Sequence, residues 1–262
     1  MSYPIVTLLT DFGLRDPYVG IMKGQILKLC PTAALVDLTH EIARQDVRSA
    51  SFHLEQAVDY FPDGTLHLAV VDPGVGTSRR ILAVRTETAL FVAPDNGLLS
   101  RALNLLGPPL ESVELPVPPR SSATFHGRDV MAPAAARLAS GTALKELGVP
   151  CSEILQLDFP PPELGSDRVG ASVLVVDHFG NVTLDLSQQL GEGLFEQGSR
   201  WSLEGQELTM AKTYGDLCPG QAMLLWSSHG LLELACREAR ADQRWKGLVP
   251  GARVELQRLA GS

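Results

Sequence analysis

Through residues 1–160 short apolar runs alternate with stretches of helical period, the pattern of strand–helix units. Residues 5–9, 34–38, 66–71, 81–85 and 90–93 are predicted strands, and residues 19–29, 47–61, 98–106 and 129–139 predicted helices. The helix over 47–61 is amphipathic and stops at Pro62-Asp63-Gly64; Gly141 stands just past the last helix. At Pro160-Pro161-Pro162-Glu163 the pattern changes. Proline continues neither a helix nor a strand ladder, so this run reads as a short stiff linker between domains over 1–160 and 161–262. Strand-like segments follow over 170–176, 181–186, 200–203, 207–211, 222–226, 231–235 and 253–259, parted by turns. Many short strands at close spacing predict a small barrel or sandwich. The expected fold class is α/β, with an α/β domain first and an all-β domain after it.

Composition narrows the chemistry. The chain has 262 residues, is 45% hydrophobic and carries a net charge of −8, which suits a buried core and argues against a nucleic-acid surface. Its four cysteines, at 30, 151, 218 and 236, form no CxxC pair, so neither a zinc ribbon nor a disulfide scaffold is indicated. Reduced cysteines, the lack of a signal-like N-terminus and the absence of a long apolar run lead us to expect a soluble cytoplasmic protein with no membrane partner.

Three predicted strands run into an aspartate at a turn: Asp11, Asp72 and Asp95. One such aspartate is usually a turn former or helix cap. Three on parallel strands would line one sheet edge, where α/β folds bind ligands. After the strand over 66–71 come Asp72, the turn Pro73-Gly74, a second glycine, Gly76, and the arginines Arg79 and Arg80. No Gly-Lys-Ser/Thr follows, so this is not a phosphate-binding P-loop. Asp72 and Arg79 are either an ion-paired staple or a guanidinium site holding water or hydroxide. Beside an arginine the carboxylate stays charged, which casts Asp72 as an orienter and not as a base. His126, in Phe125-His126-Gly127-Arg128-Asp129, is the natural proton acceptor, with Gly127 permitting close approach. The sequence has no HxH or HExxH spacing to suggest a metal. Asp11 suits a vicinal diol. In the turn 177–181, Asp177 suits an ammonium group and Asn181 an adenine edge; the bland alternative is a plain hairpin. Phe179 and Tyr214 are candidates for stacking on a base, and Ser228, in the turn 227–230, suits a carboxylate.

Taken together, the blocks TDFGLRDPYVGIMKG, VVDPGVGTSRR, APDNGLL, FHGRDVMAPAAARLA, DHFGNVTLDL and SSHGLLELA resemble the S-adenosyl-L-methionine (SAM) hydrolase family, the SAM hydroxide adenosyltransferases, relatives of the fluorinase and chlorinase enzymes. The resemblance implies an N-terminal α/β domain, a C-terminal β-barrel, and hydroxide attack at the ribose C5′ of SAM that releases methionine and adenosine. It places the water-activating set on Asp72, Arg79 and His126. It implies substrate contacts at Asp11 (ribose), Asp16, Asp177 and Ser228 (methionine end) and Asn181 (adenine), with Phe125, Gly127, Phe179, Tyr214 and Glu233 completing the set. It further implies SAM and adenosine as ligands, no cofactor, no metal, and a homotrimer with active sites at subunit interfaces.

A sulfonium leaves as a neutral thioether without a general acid, so the scarce component at neutral pH is the nucleophile. The set Asp72, Arg79 and His126 would address that scarcity. A halogenase is the enzymatic alternative, but the fluorinase differs at the positions of His126 and Gly127 and carries an insertion between those of Arg80 and Val92, which this chain lacks. Two departures stand out: His229 replaces an arginine seen in the fluorinase, and the tail after Ala235 differs from the usual small-residue stretch. A SAM- or nucleoside-binding protein without turnover, and a metal-dependent hydrolase, are the other rivals.

Overall fold

The computed structural model describes residues 4–259. The chain divides into two compact units that part between Leu157 and Asp158.

In the first unit the order is β1 (Ile5–Thr10), α1 (Tyr18–Leu29), β2 (Ala34–Thr39), α2 (Val47–Val58), β3 (Thr65–Val70), β4 (Ile81–Arg85), β5 (Ala89–Pro94), α3 (Ser100–Leu106), β6 (Glu111–Glu114), α4 (Ala132–Ala139) and β7 (Val149–Pro150). The seven strands form one sheet, ordered β2-β1-β3-β5-β4-β6-β7. The β2, β1, β3 and β5 strands run parallel, and β4, β6 and β7 add antiparallel strands at the far edge. Alternation along the strands sends side chains to two cores. Val6, Leu8, Leu66, Leu68 and Val70 pack with Met22 and Ile26 of α1 and with α4, whereas Leu9, Ala69 and Val71 pack with Leu54 of α2 and Leu103 of α3. Every residue of β3 is buried, as expected of a parallel strand covered on both faces.

Some boundaries differ from expectation. The α2 helix ends at Val58 and not at 61, because the chain must turn at Pro62-Asp63-Gly64. The predicted helix over 129–139 begins earlier, as a π-helical turn, Gly127–Met131, that runs directly into α4. The short strands β6 and β7, towards the sheet's far edge, carried too little alternation to be read.

The second unit comprises β8 (Glu163–Leu164), β9 (Arg168–Val176), β10 (Val182–Ser187), β11 (Arg200–Leu203), β12 (Gln206–Met210), β13 (Ala222–Trp226), β14 (Leu231–Cys236), the short α5 (Ala241–Arg244) and β15 (Arg253–Arg258). The order β10-β14-β13-β12-β11-β15-β9 closes through a β10–β9 pairing into a seven-stranded barrel, with β8 appended to β9. This resolves the barrel-or-sandwich choice in favour of the barrel. Closure removes the free edges that a small open sheet would expose. Trp201, Leu208, Leu224, Leu234, Trp245 and Leu256 are among the residues filling its interior.

Candidate active site

The parallel strands β1, β3 and β5 are adjacent, so Asp11, Asp72 and Asp95 do fall at one sheet edge. They do not share one task. Asp95 is buried; its Oδ2 accepts from Arg80 Nε and Nη2 at 2.9 and 2.5 Å, and its Oδ1 accepts from Leu155 N–H at 2.8 Å. Asp95 is therefore a structural tie. Asp11 and Asp72 instead line a cavity of about 280 Å³ together with Phe12, Val75, Phe125, His126 and Gly127.

Beyond β3 the chain makes consecutive tight turns, with Val75 N–H on Asp72 O and Thr77 N–H on Gly74 O. Gly76 sits at φ +79°, and any side chain there would meet the Ala123 carbonyl. Gly74 leaves room for Arg79, whose Cγ lies 3.0 Å from where a Cβ would stand. The turns return Arg79 to Asp72. Arg79 Nε donates to both carboxylate oxygens at 3.0 Å, and Nη2 donates to Oδ2 at 2.5 Å. Both side chains are nearly buried, at 9% and 6% exposure, so the pair is both a staple and a fixed charge.

Arg79 Nη2 also lies 2.9 Å from His126 Nδ1. A guanidinium cannot accept, so Nδ1 is the acceptor and the imidazole hydrogen sits on Nε2. Burial pushes the His126 pKa below its usual range and the Arg79 charge adds to this, against the opposing pull of Asp72 and Asp129. His126 is thus a neutral imidazole at neutral pH whose lone pair is committed to Arg79. The remaining nitrogen of Arg79, Nη1, is buried without a hydrogen-bond partner. Asp129, bound by Arg128 and by Ser122 N–H, is occupied elsewhere. Gly127 is buried, and a Cβ there would crowd Met22 Sδ and Val70 Cγ1 at 3.3 and 3.4 Å, so the glycine also serves packing. Phe12, Tyr18 and Phe125 form an edge-to-face cluster with centroids 5.3–6.0 Å apart.

Asp11 accepts from Gln45 N–H at 2.8 Å. Gln45 and Arg44 line the same cavity and were not legible in the sequence. Gln45 adopts φ +65°, a left-handed conformation that costs a non-glycine residue about 1–2 kcal/mol. Nothing in its residue type signals this. Asp16 is exposed on the turn entering α1 and is not among the residues lining the cavity.

The barrel unit holds a cavity of about 720 Å³ lined by Asp177, Phe179, Asn181, Tyr214, Gly215 and the segment from Cys236 to Arg240. The turn 177–181 is a hairpin connection and a site wall at once. Asp177 accepts from Asn181 N–H at 2.8 Å and from Asn181 Nδ2 at 3.0 Å, which fixes the amide and leaves its Oδ1 and one N–H outside this pair. Phe179 is 72% exposed. Tyr214 Oη donates to buried Glu233 Oε1 at 2.6 Å. Burial raises the Glu233 pKa, Tyr214 opposes the rise and Asp177 adds to it; burial and Glu233 together raise that of Tyr214. Glu233 holds Tyr214 from behind and is not itself a lining residue. Ser228 is exposed beside His229, at 3.3 Å from its Nδ1, away from this cavity's lining. The tail after Ala235 lines the cavity, a role its unusual sequence obscured. Arg237 Nη1 donates to the Gly215 and Leu217 carbonyls and so ties the Tyr214 loop to β14.

Among the described residues no group of three or more His, Cys, Asp or Glu side chains is placed to hold a metal ion. Among the same described residues no helix is long and apolar enough to cross a membrane.

A helix-flanked mixed sheet bearing a buried Asp–Arg–His set at the end of a parallel strand, followed by a seven-stranded barrel, defines a two-unit class of α/β enzymes. The chain belongs to the SAM hydroxide adenosyltransferase family: the family's N-terminal domain matches residues 6–148 and its C-terminal domain residues 171–255. It is 40% identical to an (R)-S-adenosyl-L-methionine hydrolase of Salinispora tropica over 97% of each chain, and 39% identical to another of Thermus thermophilus over 96% of this chain and 98% of that one. A fluorinase of Nocardia brasiliensis is more distant, at 29% identity over 88% of this chain and 90% of that one. Among solved structures, an uncharacterized conserved protein of Thermotoga maritima superposes with a TM-score of 0.89 at 34% identity, covering 97% of this chain and all of that one.

Proposed function

We propose that Asp72, Arg79 and His126 hold and activate a water for attack at the ribose C5′ of SAM, with Asp11 clamping the ribose diol. The chain is an enzyme that hydrolyses SAM to adenosine and L-methionine. The observation that carries this reading is the single guanidinium shared between Asp72 and His126 at the end of β3. Arg79 supplies positive charge for a developing hydroxide. Asp72 holds it in place and, being an anion itself, disfavours a halide in the same space. In the resting geometry the imidazole lone pair is on Nδ1, so the proton acceptor is that atom. It becomes available when Nδ1 exchanges its Arg79 donor for the water, and burial of the pair limits the reorganisation this requires.

The barrel cavity is read as the adenine side, with Asn181 on the base edge and Phe179 and Tyr214 against its faces, Glu233 fixing Tyr214. Asp16, Asp177 and Ser228 are read as contacts for the methionine end, and Phe125 and Gly127 as walls beside C5′. The family relationship supports a homotrimer in which the first unit of one subunit and the barrel of the next complete each site; light scattering on the purified protein tests the assembly. The reaction as read needs neither cofactor nor metal.

The deciding experiment incubates the purified protein with SAM and EDTA, with and without fluoride or chloride, and separates the products by chromatography. Adenosine and methionine in equal amounts, unaffected by EDTA and halide, are expected. A halogenated nucleoside would establish the halogenase reading, and intact SAM that remains bound would establish a binding protein.

A further inference from the structure

The loop from His40 to Asp46, between β2 and α2, grips the turn carrying Asp11 at three points. His40 O accepts from Gly13 N–H at 2.7 Å, Gln45 N–H donates to Asp11 Oδ2 at 2.8 Å, and His40 Nδ1 lies 2.9 Å from Thr10 Oγ1. Thr10 and His40 are buried, at 0% and 3% exposure. Buried polar side chains are costly unless bonded, so this contact is a specific one.

The hydrogens can be placed. Thr10 Oγ1 accepts from Phe12 N–H at 3.2 Å. Asp37 Oδ1 lies 2.9 Å from His40 Nε2, close but off the N–H axis, so that Nε2 has no in-line partner. The other oxygen of Asp37 accepts from Lys23 Nζ at 2.6 Å. Partial burial raises the Asp37 pKa, but the bond from Lys23 and the nearby His40 ring outweigh it and hold the group ionised. A carboxylate beside Nε2 favours the tautomer with hydrogen there. Nδ1 then accepts from the Thr10 hydroxyl, and Thr10 in turn accepts from the backbone one residue past Asp11. A chain of contacts thus runs from Lys23 on α1 through Asp37 and His40 to the Asp11 turn.

We infer that His40, acting through the Thr10 hydroxyl, is a positioning residue that fixes the Asp11 carboxylate for the ribose diol. The inference rests on the reading of Asp11 given above. None of these groups touches the cavity lined by Asp11, Asp72 and His126: neither Thr10, His40, Asp37 nor Lys23 lines it. Their effect on substrate is therefore indirect, and the carboxylate they hold in place is that of Asp11, bonded by Gln45 N–H from the same loop.

The test is adenosine binding by calorimetry and steady-state kinetics with SAM on the full-length protein. Thr10→Val, which keeps shape and removes the hydroxyl, is expected to raise the adenosine Kd five- to twentyfold. KM for SAM should rise with it and kcat should change less. Thr10→Ser is expected to restore binding to within twofold. In an Asp11→Ala background Thr10→Val should add less than twofold, because the group it positions is gone. A Thr10→Val Kd within twofold of the parent, with Asp11→Ala clearly weakened, overturns the inference and leaves the Asp11 reading standing. So does an undiminished Thr10→Val effect in the Asp11→Ala background. Normal binding by Asp11→Ala itself overturns both. If Thr10→Val does not fold, Asp37→Asn at the more exposed end of the chain replaces it: a Kd increase of at least threefold supports the inference, and an unchanged Kd overturns it.

Discussion

Arg79 donates from Nη2 to Asp72 Oδ2 at 2.5 Å and meets His126 Nδ1 at 2.9 Å with the same nitrogen. One N–H-bearing atom thus bridges an anion and a neutral imidazole, in a place where neither partner can be moved without disturbing the other. The bridge sets the imidazole tautomer, leaves Nε2 carrying the hydrogen, and makes the histidine's basicity depend on the arginine.

Arg79→Lys removes this bridge. A lysine amine has no planar fork to satisfy both carboxylate oxygens and the imidazole together. We expect kcat to fall about 10²–10³-fold, the range for losing a preorganised donor at a developing charge. Adenosine affinity should stay within twofold, since the arginine is assigned to the nucleophile. Single-turnover kinetics beside adenosine calorimetry check both halves; weakened adenosine binding with normal turnover would place Arg79 on the ribose instead.

His126→Ala is expected to cut kcat by about 10²–10⁴, the usual contribution of a positioned acid or base. Because burial and Arg79 lower the His126 pKa, the parent enzyme should keep its activity on the acid side of the ordinary histidine range. The rate should fall only as pH drops through this lowered value, when Nδ1 binds a proton and can no longer accept one. In Arg79→Lys the positive charge is retained but differently placed, so the acid limb should move. A pH–rate profile that is flat across this region would remove His126 as the acceptor.

Asp11→Ala is expected to weaken adenosine binding by about 1.5–3 kcal/mol for each charge-assisted hydrogen bond lost to the diol. Calorimetry with adenosine, compared with 2′-deoxyadenosine, checks it: the parent should discriminate between the two and the variant should not.

His67 governs a stability effect away from chemistry. It is buried against Phe61 and Phe91, bonds Thr7 through Nδ1, and is pushed down to about 4 by burial. The unfolded chain takes up the proton near pH 6.5, above the folded pKa, so the unfolded state binds more protons in this window. Stability therefore falls as pH drops from about 6.5 towards 4, by about 3 kcal/mol in all. Urea melts across this range should show the slope, and His67→Phe should flatten it; a parent whose midpoint does not shift with pH would refute the assignment.

The order of elements was legible because burial writes period into sequence. The two-face burial of β1 and β3, the helical periods of α1 and α2, and the close-spaced strands of the second unit follow from which positions leave water. The Asp72, Arg79 and His126 set was legible as residue types, since Gly74 and Gly76 announce a tight turn and a histidine before a glycine announces access. Local signals could not say which of Asp11, Asp72 and Asp95 would face a cavity; that depended on Arg80 folding back to claim Asp95, an ion pair across a strand pair. Nor did they reveal Gln45, whose left-handed backbone is imposed by neighbours, or His40 and Thr10, whose contact spans two adjacent parallel strands. The barrel's closure through β9 and β10 was also beyond local pattern, since alternation is the same in a sandwich. Sequence determined what each segment buries and which chemical groups are at hand. Only the tertiary structure decided which groups meet and which nitrogen of His126 holds its hydrogen, because hydrogen-bond partners across strands and turns are chosen by three-dimensional register, and no period in the chain encodes that choice.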